Sequence, residues 1–338
     1  MTEELAFPLQ PHDMMRVVRD SVPMHGEGAR AIGAHPRGVT VAIGAFDGLH
    51  LGHRELMASC VADAAARGTT SVVVTFDPDP SELLAGESAE RRLLSVEDRV
   101  ALCRMLGADE VLVLAFDEEL AAQEPARFME SLRERLGAIR SVHVGSNFHF
   151  GAHGAGNVET LRELGLRMGF EVVPHRLLSV DGLPVSSTRI RSQLASGHVE
   201  HAARMLGRHH FVRGTVAHGR GEGTSFGFPT ANVCCDVRSC LPAEGVYACI
   251  VTDGLRAWPA AANVGAPPTF SDRRDAFLEA NLIGFDGDLY GSDLAVIFVA
   301  WLRASRPFSS IEELERVVLG NIDWVRHNIG ETSVEVRP

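Results

Sequence analysis

The first half of the chain is organised around the stretch Val41-Ala-Ile-Gly-Ala-Phe-Asp-Gly-Leu-His-Leu-Gly-His53. Its apolar start predicts a buried strand, and Gly44 and Gly48 allow the tight turn that must follow. Beyond the turn a helix begins, and Gly52 lets a ligand come close to its backbone. The start of a helix carries unsatisfied N–H groups and the positive end of its dipole. The stretch therefore predicts an anion-binding cradle between a strand and a helix.

His50 and His53 flank Gly52 in a His-x-Gly-His pattern at the start of that helix. Their imidazoles can donate hydrogen bonds to the phosphates of a nucleoside triphosphate as charge develops on a leaving pyrophosphate. Either histidine alone is more simply interpreted as a polar helix-start residue that faces water. Both together, after a strand and a glycine turn, favour a phosphate site. A zinc site is less favoured, because no Cys or carboxylate partner lies at ligand spacing.

Strand-like and helix-like segments alternate around this stretch. The strands are predicted at Thr40–Gly44, Ser71–Phe76, Val111–Leu114, Ser141–Gly145 and Glu171–Val173. Helical patterns between them include residues 53–67 and 125–136. Such alternation predicts an α/β domain with a Rossmann-like parallel sheet.

The pattern changes near residue 210, where strand-like runs follow one another without helices. These runs are residues 211–217, 246–251, 260–264, 278–283 and 294–299. Gly- and Pro-rich turns separate them, which predicts an antiparallel barrel or sandwich. Ser310 and Glu313 form a capping-box pattern that opens a closing helix, and Gly330 is its predicted stop. Residues 190–207 are predicted to be helical and to join the two halves.

Composition and charge narrow the classes of partner. The chain has 338 residues, 45% of them apolar, and a formal net charge of -12. The length and the apolar content are enough for two domains. The negative net charge and the absence of a Lys/Arg-rich run argue against a basic surface for nucleic acid or a membrane. The six cysteines form no Cys-x-x-Cys pair, no apolar run could span a bilayer, and no signal peptide is recognisable. We expect a cytoplasmic protein that acts on small molecules, and the sequence leaves a homo-oligomer open. Residues 1–13 are expected to form an extension that precedes a β-like run.

A second cradle-like segment is Val185-Ser-Ser-Thr-Arg-Ile-Arg191, which follows a strand-like region and opens a helix. In the simplest interpretation Ser186 or Ser187 is an ordinary N-cap. Ser187, Thr188 and Arg191 together instead resemble a triphosphate clamp, because Arg191 lies one turn inside the helix and can neutralise charge.

A further glycine-rich stretch runs from Gly214 to Asn232. Backbone N–H groups of such a loop can wrap nucleotide phosphates, and Gly219 and Gly223 are candidates for this. The loop is not a Walker A motif, because no Gly-Lys-Ser/Thr follows. On glycine content alone, a plain surface hairpin is the simpler interpretation.

The two cradles together resemble one family. The pairing of residues 44–53 with 186–191 is similar to the adenylyltransferase module of bacterial bifunctional riboflavin kinase/FAD synthetases, which are His-x-Gly-His nucleotidyltransferases. Residues 75–80 and 144–151 agree with the same family pattern. The resemblance implies catalytic roles for His50, His53 and Arg191. It also implies a nucleotide site formed by Gly44, Phe46, Gly48, His50, His53, Asn147, Ser187, Thr188 and Arg191.

Three positions in this module have a second interpretation or depart from the family pattern. Asn147 would otherwise be a turn residue beside Gly145. Asp79 stands where the family usually carries His, and Pro184 stands where a basic residue is common. Each exchange removes a potential phosphate partner.

The second half resembles the flavokinases through Gly227-Phe-Pro-Thr-Ala-Asn232. The resemblance implies that Thr230 and Asn232 hold Mg²⁺ and the ATP phosphates, with Gly219, Gly223 and Pro229 also at the nucleotide. Hydroxyl and amide oxygens are hard ligands that suit magnesium. Glu279 stands where the family carries its catalytic base; without the resemblance it reads as a solvent-facing strand residue. The implied fold is a six-stranded antiparallel flavokinase β-barrel with a terminal helix.

We therefore expect an FMN adenylyltransferase domain at residues 14–200 and a riboflavin kinase domain at 208–338. The kinase would convert riboflavin to FMN, and the transferase would adenylylate FMN to FAD with release of pyrophosphate, so ATP, flavins and Mg²⁺ are the expected ligands. A first alternative, motivated by Asp79 and Pro184, is a riboflavin kinase with a degenerate or respecialised N-terminal domain. A non-catalytic regulator that binds flavin or nucleotide, and an enzyme for a flavin analogue or another nucleotide, also stay open.

Overall fold

The structure, a computed structural model, describes residues 7–23, 35–85, 90–218, 230–265, 277–306 and 308–336. The chain divides into two compact units. The first, here called the sheet unit, comprises Gly26–Glu90 and Ser95–Ser187. The second, the barrel unit, comprises Met1–His25, Arg91–Leu94 and Thr188–Pro338. The functional domains expected at 14–200 and 208–338 stay predictions.

The sheet unit is built on five parallel strands. They are β1 Val39–Ile43, β2 Thr70–Asp77, β3 Glu110–Ala115, β4 Ile139–Gly145 and β5 Glu171–His175. Its helices are α2 Leu51–Arg67, α3 Pro80–Ala85, α4 Val96–Met105, α5 Glu118–Ala121, α6 Pro125–Leu136 and α7 Val158–Met168. A short hairpin of β6 Ser179–Val180 and β7 Leu183–Pro184 follows β5. The predicted Rossmann-like parallel sheet is confirmed.

The strand order β3-β2-β1-β4-β5 determines where a ligand can bind. Strand β1 is central and buried at every position, and apart from Thr40 its residues are apolar, as expected of a strand buried on both faces. The chain winds outward from β1 through β2 and β3 on one side and through β4 and β5 on the other. In such sheets a crevice opens at the carboxyl ends of the two strands where the winding reverses, here β1 and β4.

The barrel unit contains a closed antiparallel barrel of six strands. They are β8 His210–Ala217, β9 Ala231–Cys235, β10 Gly245–Thr252, β11 Arg256–Gly265, β12 Phe277–Leu282 and β13 Asp293–Arg303. Their order is β10-β13-β8-β9-β12-β11, and a β10–β11 pairing closes the barrel. The predicted six-stranded barrel is confirmed. Strand β9 was not among the strand-like runs, because its first residues, Ala231 and Asn232, were assigned to the glycine-rich stretch that ends at Asn232.

Helices surround this barrel. They are α1 Pro11–Ser21, α8 Ser187–Ala195, which starts on the last residue of the sheet unit, α9 Val199–Leu206 and α10 Ile311–Asn328; the two-residue strand β14 Val334–Glu335 follows α10. The predicted terminal helix is confirmed, and the Ser310 hydroxyl accepts a hydrogen bond from the Glu313 N–H at 3.2 Å.

One local prediction was wrong. Residues 9–13 are not an extension, because Leu9 is buried and α1 replaces the expected β-like run, with Met14, Val17 and Val18 buried on one face. The helical character predicted for residues 190–207 is confirmed, and it is divided between the two helices α8 and α9. They are separated at Gly197, which has a φ of +79°.

None of the described helices of the chain combines the length and apolar character needed to cross a membrane. The six cysteines are free thiols, and all but Cys234 are buried.

Candidate functional site

The turn that follows β1 has a strained backbone. Phe46 and Leu49 have φ values of 54° and 44°, a region that side chains other than glycine rarely adopt. Such residues cost about 1–3 kcal/mol each, so the surroundings must hold them in place. Gly44 permits the tight packing, because a Cβ there would lie 3.1 Å from the Phe46 ring. The turn therefore has a shape that its neighbours impose.

Three side chains of the sheet unit hold this turn through its carbonyl groups. Arg99 Nη1 and Thr75 Oγ1 both donate to the Ala45 carbonyl, at 2.5 and 2.9 Å. Ser187 Oγ donates to the Asp47 carbonyl at 2.8 Å. These hydrogen bonds to its carbonyl groups hold the turn in one conformation at the start of α2.

His50 and His53 lie together at the start of α2. His50 is the N-cap residue, and its Nδ1 accepts the His53 backbone N–H at 3.3 Å. The two rings are stacked with centroids 3.6 Å apart. Burial lowers the pKa of His50 to about 4. Burial, then His50 and Arg99, lower the pKa of His53 well below its usual value. Both rings are therefore neutral near pH 7, and His50 carries its proton on Nε2 as a hydrogen-bond donor.

A pocket of about 290 Å³ opens in the crevice of the sheet unit. Six residues predicted at the nucleotide line it: Gly44, Phe46, His50, His53, Asn147 and Ser187. Gly48 lies in the turn itself, with a φ of 79°. The structure thus brings the His-x-Gly-His histidines, Asn147 and Ser187 around one cavity.

The rest of the predicted clamp belongs to the barrel unit. Thr188 and Arg191 lie in α8, directly after Ser187. The Arg191 Nε donates to the backbone carbonyl of Arg91 at 2.6 Å. The expected contact of Thr188 and Arg191 with a triphosphate stays a prediction.

The two departures from the family pattern have different structural settings. Asp79 precedes α3, and its carboxylate accepts hydrogen bonds from the Ser81 N–H and hydroxyl at 2.9 and 2.7 Å. Asp79 thus caps a helix start. Pro184 lines the pocket, and so does Arg176, a cation that the sequence analysis missed. Arg176 belongs to no motif, so only the fold could reveal it.

In the barrel, two predicted residues face each other across neighbouring strands. Asn232 of β9 lies directly opposite Glu279 of β12, and Asn263 of β11 lies opposite Glu279 on its other side. Directly paired residues have Cβ atoms about 4.5–5.5 Å apart. All three are partly exposed, whereas their neighbours Ala231 and Ala280 are buried. The three polar side chains therefore form a row on the outer face of the barrel.

Thr230 precedes Asn232 by two residues and is also partly exposed. Gly219, Gly223 and Pro229 lie outside the described residues. Asn263 was not predicted at this site. Among the described residues no group of three or more His, Cys, Asp and Glu side chains is placed to hold a metal ion.

Two family models match consecutive parts of the chain. Residues 33–189 match the family model for FAD synthetase. Residues 206–329 match the family model for riboflavin kinase.

Relatives resemble the chain along most of its length. A Pseudomonas fluorescens protein named bifunctional riboflavin kinase/FMN adenylyltransferase is 36% identical over 290 residues, which is 86% of this chain and 93% of that protein. Proteins of the same name from Escherichia coli (strain K12) and Bacillus subtilis (strain 168) are 33% and 32% identical, over 83% and 81% of this chain and 90% and 87% of their own lengths. A crystal structure described as a macrolide-efflux protein from Streptococcus pneumoniae has a TM-score of 0.78 and 28% identity, and covers 87% of this chain and 95% of its own.

Proposed function

Because the chain belongs to the bifunctional riboflavin kinase/FMN adenylyltransferase family, we propose that it makes FAD from riboflavin in two consecutive reactions. The barrel transfers the γ-phosphoryl group of ATP to riboflavin, which gives FMN. The sheet unit then joins FMN to the adenylyl group of a second ATP, which gives FAD and pyrophosphate. One observation carries the proposal: each unit holds its own candidate phosphate site, and each matches the family model for one of the two reactions.

In the barrel reaction, Glu279 takes the proton of the riboflavin hydroxyl that receives the phosphoryl group. Its pairing with Asn232 places the carboxylate beside the residues proposed to hold the phosphates. The donor set of Thr230 and Asn232, with a carboxylate next to them, fits Mg²⁺, which prefers oxygen ligands. A magnesium ion held by these residues would neutralise charge on the phosphates.

In the sheet unit, an FMN phosphate oxygen attacks the α-phosphorus of ATP and pyrophosphate leaves. No protein nucleophile is needed, so the residues contribute orientation and hydrogen bonds. His50 and His53 are neutral donors at the start of α2, where the helix dipole also favours the anion. Arg176 offers a positive charge in the same pocket.

The remaining expectations fit the same proposal. Six free thiols suit the reducing cytoplasm, where we place the protein. Its partners are then small molecules, namely ATP, riboflavin and FMN, and a homo-oligomer is compatible with both reactions.

The test is to incubate the purified chain with riboflavin, ATP and Mg²⁺ and to follow FMN, FAD and pyrophosphate. We expect FMN first and FAD second. Glu279→Gln should slow FMN formation by about 10²–10⁴-fold, yet leave FAD formation from added FMN unchanged. Glu312→Gln, an exposed change on α10, is the matched control and should affect neither step. Absence of both products contradicts the proposal, whereas FMN without FAD supports a degenerate sheet unit.

A further inference from the structure

Asn263 of β11 lies directly beside the candidate base of the barrel. Antiparallel pairing sets it opposite Glu279 of β12, and Glu279 is paired on its other side with Asn232 of β9. Directly paired residues share a face of the sheet and have Cβ atoms about 4.5–5.5 Å apart. All three residues are partly exposed. The Glu279 carboxylate therefore stands on the outer face of the barrel between two amides.

The amide of Asn263 is held from the side away from Glu279. Ser305 Oγ donates a hydrogen bond to Asn263 Oδ1 at 3.0 Å. Ser305 follows the end of β13, where Arg303 pairs with Val246 of β10. Val246 pairs in turn with Asn263. The Ser305 hydroxyl thus reaches Asn263 across β10, whereas Glu279 lies on the β12 side.

This hydrogen bond orients the two ends of the amide. The oxygen and the nitrogen of a carboxamide are on opposite branches of one planar group, and only the nitrogen can donate. Because Asn263 Oδ1 is turned toward Ser305, Asn263 Nδ2 is turned toward β12 and Glu279. An ionised carboxylate is an acceptor of hydrogen bonds, so the donor and the acceptor are matched.

A neutral donor suits a carboxylate that has to take up a proton. A general base must be held within hydrogen-bond reach of the proton that it accepts. A Lys or Arg at the position of Asn263 would strongly favour the charged form of the carboxylate and so oppose proton uptake. An amide orients the carboxylate through a hydrogen bond and adds no net charge.

We propose that Asn263, oriented by Ser305, is a positioning residue that holds the Glu279 carboxylate where it accepts the proton of the riboflavin hydroxyl. The assignment rests on the kinase reaction proposed above. In that reaction the hydroxyl oxygen bonds to the γ-phosphorus of ATP, ADP leaves, and the hydroxyl proton passes to a Glu279 oxygen. Asn263 takes no part in these bond changes and acts only through Glu279.

The test measures kcat and KM for FMN formation by the full-length chain with Mg²⁺, with riboflavin and ATP each varied. Asn263→Ala should lower kcat about tenfold, the value of one hydrogen bond to a charged group, and leave both KM values unchanged. Ser305→Ala, at an exposed residue, should lower kcat about threefold, because the bond that it removes is a neutral one. Ser196→Ala is the matched control. It removes one hydrogen bond of another exposed serine, to the Ser192 carbonyl at 3.0 Å, and should leave kcat unchanged.

A double-mutant cycle separates positioning of the base from a merely structural role. In the Glu279→Ala chain, Asn263→Ala should cause no further loss of kcat, because the group that Asn263 positions is already gone. For the same reason Ser305→Ala should add nothing to Asn263→Ala. FAD formation from added FMN, measured on the same preparations, should be unchanged in every variant.

The outcomes also separate this assignment from the proposed function. If the wild-type chain forms FMN but Asn263→Ala keeps its kcat, raises a KM instead, or loses a further tenfold in the Glu279→Ala chain, the assignment is overturned and the proposed function stands. If Asn263→Ala does not fold, Ser305→Ala decides, and an unchanged kcat in that variant overturns the assignment. If the wild-type chain forms no FMN, both are overturned.

Discussion

Replacing Arg99 with Met is expected to slow FAD formation strongly while FMN formation continues. Arg99 is 3% exposed and donates to the carbonyls of Ala45 and Phe76, at 2.5 and 2.9 Å. Each hydrogen bond from a charged donor contributes about 1.5–3 kcal/mol. Because Thr75 still donates to the Ala45 carbonyl after the change, the stability lost with each Arg99 hydrogen bond stays near the lower end of this range. We expect the free energy of unfolding of the sheet unit to fall by about 3 kcal/mol.

The effect on catalysis follows from the strain in the turn. Phe46 and Leu49 hold positive φ values only because neighbours fix them, and Arg99 is one of the restraints on Ala45. A turn that relaxes by about 1 Å misplaces the phosphates and should cost about a hundredfold in rate.

The assay follows FAD from FMN and ATP, and FMN from riboflavin, on the same preparation, with denaturant unfolding measured in parallel. Arg127→Met is the control, because Arg127 is an exposed residue whose ion pair with Glu134 is screened by solvent and contributes little to stability. An Arg99→Met chain that is folded, equally stable and fully active in FAD formation refutes the reasoning.

Three further changes test other parts of the structure. Gly197→Ala places a Cβ 2.9 Å from the Trp301 ring at a φ of +79° and should lower the free energy of unfolding by about 1–3 kcal/mol in denaturant titration. Ser187→Ala removes the hydrogen bond to the turn and should slow FAD formation about tenfold without changing the riboflavin kinase rate. Burial lowers the pKa of His210 to about 4, so the unfolded chain takes up its proton first as the pH falls below 6.5. Neutral His210 makes its full contribution to the free energy of unfolding above pH 6.5, and about 2 kcal/mol of that contribution is lost by pH 5. His210→Gln should therefore narrow the difference in stability between pH 7 and pH 5 by that amount, while His201→Gln, an exposed change in the same unit, should not.

The parts of the fold that the sequence predicted correctly are those with a local physical cause. The apolar run of β1, its glycine turn and the helix start at His50 are adjacent in the chain, and the structure reproduces that order. Helix α6 was predicted at both ends because Pro125 opens it and Gly137 follows its last residue. The histidines, Asn147 and Ser187 were also placed in one site, since each stands in a motif at the end of a strand or the start of a helix.

The residues that the sequence did not reveal are supports rather than motif members. Arg99 reaches the turn from α4, more than fifty residues along the chain, and nothing near it indicates that partner. Asp63 Oδ2 and His143 Nε2 lie 3.2 Å apart although the two residues are eighty positions apart, and each has an ordinary local interpretation, one as a helix carboxylate and the other as a strand residue. Helix α1 was not predicted for a different reason. Its apolar residues have helical spacing, but adjacent Val17 and Val18 give the segment a β-like composition.

The pairing of Glu279 with Asn232 shows why motifs alone do not define a site. Along β12 the side chains alternate between the barrel interior and its outer face, so a shift of one residue would bury Glu279 and expose Leu278. The closed barrel prevents that shift, because β12 is hydrogen-bonded to β9 on one side and β11 on the other. The chemistry is encoded by a few local residues, but closure of the whole barrel determines which of them meet. A variant that loosens the register should therefore abolish the kinase reaction even with Thr230, Asn232 and Glu279 all unchanged.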